Sequence, residues 1–249
     1  MITYSERNNI GLIMLNRPEK RNALHPEMIE AVKDKLNSIK NDDDIKVLII
    51  SGEGSSFCAG ADLAYLNELK DFSVTDNERD SEELAQLFSD LYNFPKPVIA
   101  AVNGPAIAGG CGLASVCDFI IADSEKAKFG YSEAKIGFVP AIVSIFLIKK
   151  IGEGKAKQLF LSAEILDAHK AYEIGFADLL SGDVLNDSFT FAEKLTRNSL
   201  TSLKMIKKMI SAVSNLTVEE GIKYSIELNT ISRSSGDFKE GLNNFLNKK

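Results

Sequence analysis

Residues 97–118 constrain the fold more than any other part of the chain. They read PVIAAVNGPAIAGGCGLASVCD. The first six are apolar and partly β-branched, which predicts a buried strand, and Asn103-Gly104-Pro105 ends it. Gly109-Gly110 then opens a run of small residues that favours a helix. We therefore expect a strand, a turn and the glycine-rich N-terminus of a buried helix.

The predicted helix start has a chemical consequence. The first N–H groups of a helix have no partner within it, and they lie at the positive end of the helix dipole. Because glycine lets a ligand approach the backbone, this start favours a site for an anion, or for an oxygen that becomes anionic during a reaction. The alternative is close packing of helix and sheet, which also requires small residues. The glycines fit neither G-x-G-x-x-G nor G-x-x-x-x-G-K-[ST], so the two common nucleotide-binding loops are not indicated.

Composition narrows the class of protein. The chain has 249 residues, of which 45% are hydrophobic and 26% charged, and this suits one globular domain or a domain with a small appendage. The net charge of −6 argues against a general nucleic-acid-binding surface. No apolar run approaches about 18 residues, so we expect no membrane segment. Because Met1 leads directly into a strand-like segment, we also expect no signal peptide and a cytoplasmic protein.

Cysteine and histidine usage indicates neither a disulfide framework nor a metal site. Cys58, Cys111 and Cys117 form no C-x-x-C pair and lie in apolar runs, so we expect reduced, buried thiols. His25 and His169 are far apart and show no metal-ligand spacing. We therefore expect no metal.

The first hundred residues are predicted to alternate strands and helices. The elements with a clear local signal are hairpin strands at 2–7 and 10–16, a helix from Pro26 and a strand at 45–51. Asn8-Asn9 is the expected hairpin turn. Residues 57–61, FCAGA, are a second small-residue crossing into a helix, and their glycine also favours an unpartnered N–H. Residues 71–79 are polar and expected to be mobile, before a helix that Pro95 ends.

Beyond residue 118, the same patterns predict short strands first and helices later. The predicted elements are strands at 119–122 and 128–130, a short helix or turn at 131–133, and helices at 142–151, 156–161, 168–174, 187–197, 200–212 and 218–233. Thr217 and Glu220 form a capping box before the last of these, and a final amphipathic helix follows Ser235-Gly236-Asp237. We therefore predict an α/β fold with a core over residues 1–186 and a helical segment over 187–249 that serves packing or assembly.

Five motifs match one known family, in order and at family spacing. They are LNRPEKRNAL (15–24), FCAGADL (57–63), VNGPAIAGGCGLASVCD (102–118), AKFGYSEAKIGFVP (127–140) and DFKEGLNNFLNKK (237–249). The sequence thereby resembles the crotonase, or enoyl-CoA hydratase/isomerase, superfamily over essentially its whole length. The resemblance implies a spiral of ββα repeats followed by C-terminal helices that build a homotrimer or a dimer of trimers. It also implies an acyl-CoA substrate and no separate cofactor, since coenzyme A is part of that substrate.

The resemblance implies particular catalytic groups. The N–H groups of Ala61 and Gly109 would hold the thioester carbonyl oxygen as it takes on enolate charge, and both residues belong to the two small-residue crossings. Hydratases of this family use two glutamates beside the acyl chain. Glu133 aligns with the second of them, whereas Gly112 stands where the first would be. Glu133 is therefore the expected general base or proton shuttle.

The glycine at 112 leaves several activities open. GGCG followed by SEAKIGFVPAIVS resembles bacterial members associated with methylglutaconyl-CoA hydration, in which glycine also replaces the first glutamate. An absent side chain would leave room for a branched or carboxylated acyl group, so hydration of a 2-enoyl-CoA is favoured. A single carboxylate also suffices for a Δ3-Δ2-enoyl-CoA isomerase. Further alternatives are a thioester hydrolase, with Cys111 as its nucleophile, and a non-catalytic acyl-CoA-binding protein.

The remaining substrate contacts are also implied by the resemblance. They are Lys20 or Arg21 near the CoA phosphates, Arg21, Ala23 and Leu24 along the pantetheine, Ala59, Asp62, Leu63 and Ala64 on the acyl side, and Phe245 and Lys248 at the adenine end. The last two would contact the adenine of the same subunit or of a neighbouring one. Segments 62–96 and 140–150 are expected to shape the acyl pocket.

Overall fold

A computed structural model describes residues 1–247 of the chain. The strands are β1 Ile2–Arg7, β2 Ile10–Leu15, β3 Val47–Gly52, β4 Val98–Val102, β5 Ala106–Ile107, β6 Phe119–Asp123, β7 Lys128–Gly130, β8 Ile165–Asp167 and β9 Leu179–Ser181. The helices are α1 Pro26–Ile39, α2 Leu63–Leu69, α3 Val74–Tyr92, α4 Gly109–Ser115, α5 Ala141–Ile151, α6 Glu153–Ser162, α7 Ala168–Glu173, α8 Val184–Thr196, α9 Leu200–Val213, α10 Val218–Ser234 and α11 Gly236–Leu246. The predicted α/β class is therefore confirmed.

The strands form two sheets. One has six strands in the order β1-β2-β3-β4-β6-β9, and the other has three in the order β5-β7-β8. The N-terminal hairpin forms as predicted, with β1 antiparallel to β2 and Arg7 opposite Ile10. Asn8 and Asn9 turn the chain with φ angles of 53° and 64°. A tight hairpin turn needs such positive φ values, and asparagine tolerates them better than most residues.

The large sheet is parallel from β2 to β9 and is buried on both faces. Every residue of β3 and of β4 is buried. Because successive side chains point to opposite faces, Leu48 and Ile50 join the core with α1, α3 and α4, whereas Val47 and Ile49 pack against α8. Burial on both faces explains why these strands are continuous apolar runs in the sequence.

The second sheet consists of strands of two or three residues. β5 pairs with β7 in parallel, and β7 pairs with β8 in antiparallel orientation. The sequence patterns predict neither β5 nor β8, and they also miss β9 of the large sheet. Alternation cannot be recognised in so few residues. Their neighbours in the folded chain decide that these short segments become strands.

The helix before Pro95 begins earlier than predicted. α3 starts at Val74, inside the segment expected to precede the helix, and the Ser73 hydroxyl accepts a hydrogen bond from the Asp76 N–H at 3.2 Å. The later turns bury Leu87 and Phe88. A capped start and a buried second half stabilise the polar turns between them, since helix formation is cooperative once a nucleus is anchored.

The C-terminal helices differ in how much they bury. α8 packs on the large sheet through Val184 and Ala192. It spans residue 187, the predicted boundary between core and helical segment, and the division into two parts stays a prediction. By contrast, α9, α10 and α11 bury none of their side chains within the described chain. The capping box of Thr217 and Glu220 at the start of α10 is confirmed.

Candidate active site

The two small-residue crossings meet at the start of α4. Cys58 forms an isolated parallel bridge with β5, and the Ile107 N–H donates to the Cys58 carbonyl oxygen at 3.0 Å. At Gly60, a Cβ atom would lie 3.5 Å from the Gly109 nitrogen. The segment that carries Ala61 therefore runs beside the first turn of α4.

The N–H groups of Ala61 and Gly109 are available as donors at this junction. Neither donates to a backbone or side-chain acceptor in residues 1–247, and both residues are half-buried. Ala108, directly before α4, has φ 52° and ψ −121°. This conformation belongs to the first central residue of a type II′ turn and is usually taken by glycine. Strain of this kind occurs where a backbone group is held in a required orientation, and here the ψ angle of Ala108 directs the Gly109 N–H.

The two glycines of the pair have different roles: one allows close packing, and the other provides an available N–H group. A Cβ atom at Gly110 would lie 2.0 Å from the Cys58 carbonyl oxygen, so any side chain there would push α4 away from the segment before Ala61. Gly110 therefore serves packing. Gly109 instead carries one of the two available N–H groups.

Glu133 is a buried carboxyl group in which one oxygen lacks a hydrogen-bond partner. It begins the 3-10 helix Glu133–Ile136 after β7, and only 8% of the residue is exposed. Its Oε2 atom makes no hydrogen bond within residues 1–247, and burial raises the pKa of the carboxyl group above its usual range. Such a carboxyl group is suited to take up and release a proton during catalysis.

The thiol of Cys111, a residue of α4, is buried and not activated. Burial raises the pKa of this thiol to about 12, and the charge of Glu133 adds to the effect. A thiol with this pKa is protonated near neutral pH and is a poor nucleophile. Cys58 and Cys117 are also free and buried, which confirms the prediction of free, buried thiols.

The space beside Gly112 is filled. A Cβ atom at this position would lie 2.2 Å from Cγ1 of Val143, a side chain of α5. The prediction that the missing side chain leaves room for a branched or carboxylated acyl group is therefore wrong at this position. The physical reason is packing: α5 lies against α4 and places a valine over the glycine.

The loop before α1 is tied to the segment of Ala61. The Leu24 N–H donates to the Gly60 carbonyl oxygen at 2.7 Å, and the Asp62 N–H donates to the Leu24 carbonyl oxygen at 2.9 Å. These two bonds form a parallel bridge between Leu24 and Ala61. Any movement of the loop would therefore move the Ala61 donor.

Arg17 and Asn22 hold this loop, and the sequence analysis misses both. The buried Asn22 side chain donates to the Ser56 carbonyl oxygen at 2.8 Å and accepts from the Arg17 N–H at 2.9 Å. Arg17 also pairs with Asp62 at 2.9 Å. The LNRPEKRNAL motif contains both residues, but nothing in the pattern tells a structural polar group from a binding one.

The Asp62 carboxylate makes two structural contacts. Its carboxylate caps α2 by accepting from the Ala64 N–H at 2.9 Å and also forms the ion pair with Arg17. Burial by itself would raise the pKa of Asp62, but the hydrogen bonds from Arg17 and Ala64 outweigh it and hold the pKa below its usual range. The side chain therefore stays charged and fixes the start of α2.

The structure places the other predicted contacts at different depths. Ala23 and Leu24 are buried, Ala59 is half-buried, and Lys20, Arg21, Leu63 and Ala64 are exposed around the crossings. Phe245 is exposed on α11, which packs against α10 and carries no other predicted contact. Lys248 lies outside the described residues. The substrate roles of all these residues stay predictions.

A cavity of about 450 Å³ lies away from these groups. It lies between α9 and the facing parts of α4 and α5, and Val116, Phe146 and Ile206 are among its lining residues. None of its lining comes from the two N–H donors or from Glu133. The cavity therefore belongs to the seam between the body and the C-terminal helices.

Among residues 1–247, no three His, Cys, Asp or Glu side chains gather in a way that could hold a metal ion. Over the same residues, no helix is both long and apolar enough to cross a bilayer.

Solved structures share this fold over the whole chain. The crystal structure of an enoyl-CoA hydratase from Shewanella pealeana matches with a TM-score of 0.95 and 30% sequence identity, covering 100% of this chain and 94% of that one. The predicted crotonase-like architecture is thereby confirmed.

Curated relatives match along nearly the full length. A relative from Thermus thermophilus is 38% identical over 246 residues, which cover 98% of this chain and 97% of the relative. The 2,3-dehydroadipyl-CoA hydratase of Escherichia coli is 33% identical over 251 residues, covering 100% of this chain and 96% of the relative. The family model for enoyl-CoA hydratase/isomerase matches residues 5–249. The chain belongs to the enoyl-CoA hydratase/isomerase family.

Proposed function

We propose that this protein adds water to the double bond of a 2-enoyl-CoA. The observation that carries the proposal is one junction: two available backbone N–H groups, at Ala61 and Gly109, on segments that meet beside α4. Glu133, a buried carboxyl group with one unpartnered oxygen, lies close enough to α4 for its charge to act on Cys111. Family membership and the names of the relatives also support hydration.

The two N–H groups would act on the thioester carbonyl oxygen. Hydrogen bonds from Ala61 and Gly109 draw electron density toward that oxygen and make C3 of the enoyl group electrophilic. As water adds, the oxygen takes on enolate charge, which the same two donors stabilise. One donor of this kind is typically worth about 3–4 kcal/mol of transition-state stabilisation.

Glu133 would handle the proton. Its carboxylate takes a proton from water while the water oxygen forms a bond to C3, and the C2–C3 π electrons move toward the carbonyl to give the enolate. The protonated Glu133 then delivers the proton to C2, which yields the 3-hydroxyacyl thioester and restores the carboxylate. The raised pKa makes the carboxyl group a stronger base than an exposed glutamate.

The substrate would span the exposed loop and the buried junction. Lys20 or Arg21, both exposed cations, would lie near the CoA phosphates, while Arg21, Ala23 and Leu24 would follow the pantetheine and Ala59 would lie on the acyl side. Leu63 and Ala64 at the start of α2 would continue the acyl side, next to Asp62. Phe245 and Lys248 would contact the adenine from a neighbouring subunit. The reaction needs no separate cofactor in this proposal.

For the acyl group we propose a branched or carboxylated chain of the methylglutaconyl type. The support is the motif resemblance, together with the name of the Escherichia coli relative, whose dehydroadipyl substrate is carboxylated.

A Δ3-Δ2-enoyl-CoA isomerase is the second candidate, and one observation favours it. Gly112 and Val143 leave Glu133 as the single carboxylate among the predicted catalytic positions. One carboxylate suffices to move a proton between C2 and C4. The protonated, buried thiol of Cys111 gives no support to a thioester hydrolase.

We also propose a homotrimer, or a dimer of trimers, in the cytoplasm. The exposed large apolar side chains of α10 and α11 are Val218, Ile222, Ile226, Ile231, Phe238, Leu242, Phe245 and Leu246. Contiguous apolar surface of this kind marks an interaction site. Three free cysteines suit a reducing compartment.

A panel of CoA thioesters tests the activity. The purified protein is incubated with a branched 2-enoyl, a linear 2-enoyl and a linear 3-enoyl CoA, and each is followed for hydration, double-bond migration and thiol release. Hydration of the 2-enoyl substrates is the expected result. Migration without hydration would make the protein an isomerase, thiol release a hydrolase, and binding without turnover a non-catalytic acyl-CoA carrier.

A further inference from the structure

The cavity between α9 and the facing parts of α4 and α5 has the size of a small-molecule site. Its volume is about 450 Å³, and pockets for small ligands typically have about 300–1,000 Å³. Ser115 and Val116, at the end of α4, line the cavity, whereas the Gly109 donor begins the same helix. The cavity is therefore a separate site from the candidate active site.

Much of the cavity wall is apolar. Tyr92 and Phe146, whose ring centroids lie 5.3 Å apart, contribute aromatic surface. Ile206 and Ile210 contribute aliphatic surface from α9, and they are 49% and 57% exposed. An apolar occupant would cover surface that this chain leaves in contact with water, and such burial is favourable.

The charged part of the lining is mainly cationic. The lining includes one carboxylate and three ammonium groups, which belong to Asp118, Lys149, Lys150 and Lys207. Lys207 pairs with Asp118 at 2.6 Å, and Lys150 lies 3.5 Å from the carboxylate of Asp178. Two of the three cations therefore already have an acidic partner.

Lys149 is the cation that remains for a ligand. It forms no ion pair within residues 1–247, and it donates to the side-chain oxygen of Asn215 at 2.9 Å. An ammonium group has three N–H donors, so two are left. Because Lys149 lines the cavity and is exposed, its charge lies on the solvent side of the cavity.

We propose that this cavity binds a monocarboxylate with an alkyl tail. The tail would pack against the apolar side chains of Phe146 and Ile206, and the carboxylate would accept hydrogen bonds from Lys149. A hydrogen bond between charged partners is about twice as strong as one between neutral groups. The inference does not depend on the proposed function, since neither N–H donor nor Glu133 lines the cavity.

Titration with octanoate, followed by calorimetry, tests the site. The wild type should bind one octanoate per chain. Lys149→Glu replaces the cation by a carboxylate and should weaken binding about tenfold, because a hydrogen bond to a charged group is worth about 1.5–3 kcal/mol. Ile206→Trp places a larger side chain in the cavity and should also weaken binding.

Two variants outside the cavity are the matched controls. Lys208→Glu changes another exposed lysine of α9, and Ile222→Trp changes an exposed isoleucine of α10; neither residue lines the cavity. Both proteins should bind octanoate as the wild type does. The melting temperature of each variant shows whether it is folded.

1-Octanol tests the role of the charge, since it has the same tail and no carboxylate. It should bind the wild type more weakly than octanoate, and Lys149→Glu should leave its Kd unchanged. Equal Kd values for the two ligands in the wild type would overturn the carboxylate class.

Two further results would overturn the site itself. Octanoate bound equally well by the wild type, Lys149→Glu and Ile206→Trp would show that it binds elsewhere. A wild type that binds no octanoate would leave the cavity to be closed by another copy of the chain.

Discussion

At the scale of single residues, burial has opposite consequences for two carboxyl groups of the site. Asp62 is buried beside Arg17, and its hydrogen bonds outweigh burial to hold its pKa low. Glu133 is buried and its Oε2 atom has no partner, so burial raises its pKa. Asp62 therefore stays charged and stabilises the fold, whereas Glu133 can exchange a proton, as catalysis requires.

Replacing Glu133 by glutamine should abolish most turnover while leaving the fold intact. Glutamine has the same shape but no basic carboxylate, and general acid–base catalysis is worth about 10²–10⁴-fold in rate. We expect kcat to fall by at least about 10²-fold, with an unchanged circular dichroism spectrum. Glu153→Gln, on the exposed surface of α6, is the control. A Glu133→Gln enzyme with more than about a tenth of the wild-type rate is incompatible with the assigned role.

The pH dependence of turnover should report the raised pKa of Glu133. The carboxylate form is the base, so kcat/KM should fall as the pH is lowered through a pKa above the usual glutamate value of about 4.3. The measurement is kcat/KM on a 2-enoyl-CoA from pH 4 upward, with circular dichroism at each pH to confirm that the protein is folded. An acid limb at the pKa of an exposed glutamate would show that the catalytic carboxyl group is a different one.

At the scale of elements, helix ends hold the site in place. The Asp62 carboxylate caps the start of α2, and a strained Ala108 precedes α4. At the end of α1, the fully buried Lys96 donates its ammonium protons to the carbonyl oxygens of Ile39 and Asp42. The Asp62 and Lys96 side chains satisfy backbone atoms that helices leave without partners, whereas the start of α4 leaves the Gly109 N–H available.

Asp62→Asn should destabilise the protein at neutral pH. Asparagine can still cap α2, but Arg17 loses its charged partner, and breaking a buried pair costs about 3 kcal/mol of unfolding free energy. The comparison is urea unfolding of the variant and the wild type at pH 7, with Asp71→Asn on the exposed surface as control.

The loss should shrink in acid, and the sign follows from the lowered pKa of Asp62. A carboxyl group with a depressed pKa stabilises the fold above its unfolded pKa of about 3.9 and loses that contribution as the pH falls through the folded value. The gap between wild type and Asp62→Asn should therefore narrow below about pH 4. A gap that stays constant down to pH 3 would show that the ion pair does not contribute to stability.

At the scale of the whole molecule, the two faces of the large sheet are closed by different helices. α1, α3 and α4 cover one face and α8 covers the other, so the core is complete without the last three helices. α9, α10 and α11 bury no side chain of their own within residues 1–247. Their exposed apolar side chains are therefore the surface available for assembly.

The assembly proposal predicts a mass that is a multiple of three chains of 27.2 kDa by light scattering at micromolar concentration. Ile222→Glu with Ile226→Glu places two charges on one exposed face of α10 and should lower that mass toward the monomer. Glu227→Lys, elsewhere on the same helix, should leave the mass unchanged. A wild-type monomer would contradict the proposal.

Local patterns determined a large part of the fold. Asn8-Asn9 specifies a tight turn whatever surrounds it, and Thr217 with Glu220 starts a helix through bonds within four residues. The parallel strands are recognisable because burial on both faces demands continuous apolar runs. Ala61, Gly109 and Glu133 could be nominated because the motifs that carry the family resemblance are local as well.

Only the tertiary structure decided which side chains contact the candidate groups. The ion pair of Arg17 with Asp62 and the contact of Val143 with Gly112 join residues that are distant in sequence. Sequence periodicity does not predict such contacts, because they depend on which elements pack against each other. The glycine at 112 could stand for open space or for a space that another helix fills, and packing is what distinguishes them. The sequence by itself determined most of the elements and nominated the candidate groups, whereas packing decided the short strands β5, β8 and β9 and placed Val143 over Gly112.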